Sequence, residues 1–382
     1  MTTRASRAFL ALSVALLASV ATARAVLGSG FSGGGGAPSY WTRTGAVLSA
    51  TTNTDSVVLN SATGGSKGNG TINASGLYVN GASVLTSTPA GFTPYGTFTV
   101  DTQTQAVCAH GAYLYACGVA KVMKIEIATR HLVTTSATAM STARGICYDS
   151  ATDTVWVAGG ASGAIYKFDN SLSLVTSLAP GGSPQDICSD GQGYVWCCSN
   201  NGHTYKINVS TAGVSADSNH GGSPNGIASD GASHVYVTNT SGNTVFDLAQ
   251  STASTNATVS VDVAPFGICV CGAYAYFSTY ATPAYIGRIV ISSHTFDIDA
   301  QLQGNSQGIT TDGTNIYVVG KAPNCLEVYD QSLHNLTDYP FTNVSLSGTS
   351  VAPANTSNRA CYDGVNAIWV AHGAHFLWPY PL

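Results

Sequence analysis

Short runs of alternating apolar and polar residues recur along most of the chain, each bounded by small polar turns. The clearest unit spans residues 224–248, PNGIASDGASHVYVTNTSGNTVFDL. Gly226-Ile227-Ala228 opens a strand, and Asp230-Gly231 supplies a turn, because glycine adopts positive φ and aspartate bonds the local backbone. Val235-Tyr236-Val237-Thr238 is a β-branched and aromatic strand. A second polar turn at Asn239–Asn243 leads to a third strand over Thr244–Leu248.

The opening phrase repeats, with anchors at Val107, Ile146, Ile187, Ile227, Ile268, Ile309 and Ala360. Their spacing is about 40 residues, the period of a β-propeller built from four-stranded blades. Only the last interval is longer, by about ten residues. Seven anchors predict an all-β, seven-bladed propeller over residues 95–382. The last repeat has too little chain for a fourth strand. The orphan pattern YGTFTVDT at residues 95–102 is expected to complete it, closing the ring and removing an open sheet edge.

Composition agrees with strands and turns. Only 9% of the 382 residues are charged, and 42 are glycine. The formal charge of -5 comes without a basic patch, which argues against nucleic acid as a partner. Ten cysteines would allow a disulfide framework. Cys108, Cys147, Cys188, Cys269 and Cys361, however, follow equivalent anchors. They read as one ring of small buried thiols, with disulfides or metal as alternatives. The vicinal pair Cys197-Cys198 has no partners at zinc spacing.

The first 94 residues differ. Arg4 and Arg7 precede an apolar run over Phe9–Val20 and an A-x-A ending. Residues 1–27 therefore read as an apolar helix, either an export signal or a retained anchor in an assembly. Residues 28–40 read as a Gly-rich linker. Residues 41–94 hold short extended pieces with too little apolar material for a core of their own, so pairing with copies is expected.

Within that segment, WTRTGAVLSATTNTDSVVL (residues 41–59) and GTINASGLYVNGASVL (residues 70–85) resemble stalk segments of bacteriophage tail-fibre and virion adhesin proteins. The resemblance implies a fibrous, trimeric, virion-attached stalk; a Gly-rich β-linker of a secreted bacterial protein is the alternative. The repeats, with Tyr236-Val237-Thr238-Asn239 and the P-GI--D phrase, resemble the YVTN and NHL class of propellers. That class implies fold much more than activity.

Candidate chemistry is sparse. Asp149, Asp190, Asp230, Asp312 and Asp363 follow the first strand of their repeats and read as turn residues. No histidine pair recurs at metal spacing, and His372 and His375 lie in a strand-turn context. No paired glutamates stand where acid-base work would need them, and no G-x-S-x-G elbow or nucleotide fingerprint appears. The chain is expected to be no enzyme and to need no metal or cofactor. Tyr280 and Tyr285, in the loop STYATPAY, and Tyr339, at the start of the lengthened interval, are the candidate ligand-binding residues. Asn-x-Ser/Thr sites at Asn208, Asn256, Asn335 and Asn343 are expected by chance in so polar a chain. The sequence thus points to a virion fibre protein that displays a propeller to a host-surface glycan or protein receptor. Residues 1–40 would join other virion proteins, and the stalk would make a homotrimer. An exported envelope or extracellular binding propeller is the alternative, and a propeller lyase or lactonase comes third.

Overall fold

A computed structural model describes residues 104–321, 324–340, 357–365, 367–372 and 376–381, together with Phe98–Thr99 and six short strands ahead of it. The chain divides into two compact units, residues 1–92 and 93–382. In the first, Trp41–Thr44 pairs with Val47–Ala50 and Tyr78–Val79 with Ala82–Ser83, both antiparallel, while Val57–Val58 runs parallel to Ile72–Asn73. The expected apolar helix over 1–27 and the linker over 28–40 lie outside the described residues.

The second unit is an all-β propeller. Six four-stranded sheets are each made of four consecutive antiparallel strands, at residues 104–135, 145–178, 184–219, 224–260, 265–301 and 306–340. The repeat carrying Ala360 supplies only three strands in a row, Ser357–Tyr362, Ala367–His372 and Phe376–Pro381. Phe98–Thr99 completes that sheet by pairing with Phe376 and Leu377. Six sheets are therefore single repeats, and the last is a composite of both ends of the propeller. The composite sheet's inner strand lies beside the inner strands of the sixth and first sheets, so the ring is closed.

The core lies between sheets. The second strand of each repeat is apolar on both faces because it is sandwiched by two neighbours. Trp156, Trp196, Tyr115, Tyr236 and Tyr276 are fully buried there. Cys147, Trp156 and Ala158 of the second sheet pack on Ile187, Val195, Cys197 and Tyr205 of the third. Cys197 and Cys198 serve opposite seams, since successive strand residues face opposite ways. Outer strands alternate exposed and half-buried positions, as in Thr295–Gln301 with Asp297 and Asp299. Charge on an exposed edge discourages pairing with other chains.

The five recurring aspartates are turn residues. Asp230 Oδ1 accepts the N–H groups of Ala232, Ser233 and His234. Asp190 and Asp312 do the same in their turns, and their second oxygens accept from Trp196 and Tyr317 of the next strand. Asp190 and Asp312 thus tie their turns to the buried aromatic of their own sheets. Asn208 has a similar role, accepting from Ser210 and Thr211.

Candidate functional site: the channel mouth

Inner strands line the axis of the ring. Several open with proline, tolerated at a strand's first residue: Pro184, Pro224 and Pro265. A register shift follows in six of the seven, just ahead of the apolar anchor. Bulges re-aim side chains, and in these six strands they fall at the residues just before the anchor.

Immediately before the anchors stand Ala106, Gly145, Asp186, Gly226, Gly267, Gly308 and Arg359. Five of the seven are glycine or alanine, and the backbone there is crowded. A Cβ on Gly145 would meet the Asp186 side chain and Cα at 2.7 Å; one on Gly226 would lie 2.2 Å from the Phe266 carbonyl oxygen. Gly226→Ala is therefore expected to lose about 1–3 kcal/mol through forced backbone movement, seen as a lower urea midpoint.

The two exceptions meet across the channel. Arg359 Nη1 lies 3.0 Å from Asp186 Oδ2, and Nη2 donates to the Asn225 carbonyl at 2.9 Å. The Ile227 amide donates to the same Asp186 oxygen at 3.2 Å. Burial pushes the Asp186 carboxyl above its ordinary pKa, and the Arg359 charge opposes that rise. Phe266 sits under the guanidinium, 5.9 Å from its centre. An ion pair thus bars the axis where glycines leave room for it.

Arg359 also belongs to a polar ring at the mouth, with Gln105, Arg144, Gln185, Asn225, Phe266 and Gln307. Two amides are held in place: Gln185 Nε2 donates to Ser183 O and Oγ, and Asn225 Nδ2 donates to Ser223 O and Thr240 Oγ1. One residue beyond the anchors come Cys108, Cys147, Cys188, Cys269 and Cys361, on the same strand face as Asp186 and Arg359. All ten cysteines are free thiols, buried or half-buried. Burial raises the thiol pKa values of the five beyond the anchors, and that of Cys117 up to about 12, so they are poor nucleophiles.

Of the three tyrosines singled out by sequence, one adjoins this mouth. Tyr280 is exposed, and its ring lies 5.5 Å from that of Phe266. Tyr285 opens the third strand of the fifth sheet, its amide donating to Thr279 Oγ1, and is not among the mouth residues. Tyr339 lies on the outer strand of the sixth sheet, paired with Leu326. Most of the lengthened interval after it, residues 341–356, lies outside the described residues, as does His375. His372 ends a strand opposite Phe376.

The expectation of no metal-ligating set meets one exception. Among the described residues, His234, Asp247 and His294 bring ligand atoms within 4.8 Å of one another. They are scattered in sequence and lie away from the mouth residues, so spacing rules could not find them.

No protein-family model and no curated relative matches the sequence. Among solved structures, a catalytically inactive variant of virginiamycin B lyase from Staphylococcus aureus with quinupristin is similar, with TM-score 0.63 and 14% identity over 75% of this chain and 98% of the other. The selenomethionine-substituted form of that lyase gives TM-score 0.61 and 15% identity over the same shares of each chain. At such identity the likeness concerns architecture: the chain carries a β-propeller.

Proposed function

We infer that the chain is a non-enzymatic binding protein whose propeller presents its channel mouth to a polar ligand on a host surface. The observation that carries this reading is the chemistry of the mouth. Its ring combines three glutamines, an asparagine, two arginines and one phenylalanine, with Tyr280 beside it. Fixed amides and guanidinium groups donate and accept toward hydroxyls and carboxylates, while aryl faces take apolar faces. Saccharides offer both. Among the described residues, the carboxylate beside the ring is Asp186, and it is committed to Arg359.

In this reading the composite sheet is the seventh blade. Residues 41–94 form the trimeric stalk and residues 1–40 join the chain to a virion, on the strength of the stalk resemblance. A glycan array probed with the full chain tests the binding. Tyr280→Ala, at an exposed position, is expected to weaken a bound glycan about tenfold, the equivalent of 1.4 kcal/mol, without changing Tm. The absence of any bound glycan, together with turnover of quinupristin, would replace this reading by a lyase.

A further inference from the structure

A single repeated device joins neighbouring sheets, and it is inverted at one seam. In four sheets the third-strand residue opposite the buried aromatic is a cation. It reaches into the next sheet and donates to a backbone carbonyl in the turn before the outer strand. Lys124 donates to Asn170 O at 3.1 Å, Lys167 to Val209 O at 2.6 Å, Lys206 to Gln250 O at 2.6 Å, and Arg288 to Gln331 O at 2.7 Å. The register partners of these cations are Tyr115, Trp156, Trp196 and Tyr276.

In the fourth sheet that position is Asp247, opposite Tyr236. Its carboxylate is fully buried. The turn it faces in the fifth sheet offers a histidine side chain. His234 Nδ1 lies 2.9 and 3.0 Å from the two Asp247 oxygens, and His294 Nδ1 lies 2.5 Å from Oδ2. The His294 contact lacks the angle of a hydrogen bond, so that buried nitrogen has no hydrogen-bond partner. The Tyr236 hydroxyl, in the same seam, is buried without a partner as well. The hydroxyls of the equivalent Tyr115 and Tyr276 bond to the following turn, at Asn170 and Gln331.

We propose that His234, Asp247 and His294 bind one divalent transition-metal ion, which staples the fourth sheet to the fifth where four other seams use a cation and a carbonyl. Two imidazoles and a carboxylate are a common ligand set for zinc and its neighbours, at about 2.0–2.2 Å from the ion. An ion among the three would use the His294 nitrogen that lacks a hydrogen bond and neutralise the buried Asp247. His234 and His294 are partly exposed, which gives an entry path and leaves a coordination position for water.

The test is zinc binding to the full chain, by equilibrium dialysis with metal analysis, beside cobalt substitution read by absorbance. The expected result is one zinc per chain and a ligand-field cobalt spectrum without sulfur-to-metal charge transfer. His294→Asn is the informative variant. His294 has φ +54°, which asparagine tolerates better than most residues, so the turn persists while the imidazole is lost. That variant and Asp247→Asn should each weaken zinc binding at least 100-fold, and zinc should raise the Tm of the unaltered chain alone. No zinc at micromolar concentration, unchanged binding in His294→Asn, or a thiolate cobalt spectrum would each overturn the proposal.

Discussion

Replacing Arg359 by alanine is expected to cost about 3–5 kcal/mol at neutral pH, lowering Tm by on the order of 10 °C. The cost comes from what remains. Asp186 would keep its buried position between Gly145 and the Ile227 amide, with its opposite charge gone. The pH dependence separates this from a simple loss of packing. Burial already holds the folded-state pKa of Asp186 above its unfolded value, with Arg359 working against the shift. A carboxyl raised in this way binds its proton more tightly when folded, so stability falls as pH rises from the unfolded pKa toward the folded one. Removing Arg359 lifts the folded value further and deepens that fall. The Tm gap between the two proteins should therefore be widest near neutrality and narrow toward about pH 4, where carboxyls gain their protons. A gap that did not change with pH would rule out the uncompensated charge as the cause. The double replacement Asp186→Asn with Arg359→Met removes both charges at similar volume and should lie closer to the unaltered protein than either single change.

That ion pair also marks how far the sequence could be read. The propeller was legible because each repeat solves the same local problem with the same residues: an Asp-Gly turn, an aromatic strand, a polar turn. The composite sheet was legible from arithmetic, since the last repeat ran out of chain while residues ahead of the first had strand character. The strand that closes it is short, Phe98–Thr99 within the expected 95–102. Asp186 and Arg359 were hidden because they belong to repeats that meet across the axis and share no local pattern. A signal existed all the same. In the aligned repeats, the column before the anchors is glycine or alanine except at those two positions, and the exceptions carry opposite charge.

The same holds for the seam with His234, Asp247 and His294. Lys124, Lys167, Lys206 and Arg288 form a cationic column that Asp247 interrupts. His294 lies in a turn of the next repeat, outside any motif window. Tyr280 stands out in sequence as an aromatic residue in an irregular loop, whereas Phe266, whose ring lies 5.5 Å from it, sits in a regular strand that draws no notice. Repetition therefore reveals a scaffold, and departures from it in a single column are where the chemistry of such a scaffold is found.

Trp196→Ala is the second change expected to have a large effect, about 3–5 kcal/mol of stability. The indole is fully buried in the seam between the third and fourth sheets, in one cluster with Ile227, Val235, Val237 and Leu248. Its Nε1 donates to Asp190 Oδ2 at 3.0 Å, and Lys206 Nζ lies 5.3 Å from its ring centre. Alanine leaves a cavity that two twisted sheets, each held by its own hydrogen bonds, cannot close. Trp196→Phe divides the loss. Phenylalanine keeps most of the apolar contact and the face under Lys206 but leaves Asp190 Oδ2 without its donor, worth about 1–3 kcal/mol. Asp190 Oδ1 keeps the Gln192 and Tyr194 amides, so the turn itself should persist. Urea unfolding checks both the size and the cooperativity. In a closed ring every sheet is held by two neighbours, and loosening one seam should lower the midpoint for the whole propeller with the slope m unchanged. A reduced m for Trp196→Ala would instead show the ring opening at that seam before the rest unfolds, and would mean that closure by Phe98–Thr99 is too weak to make the propeller a single cooperative unit.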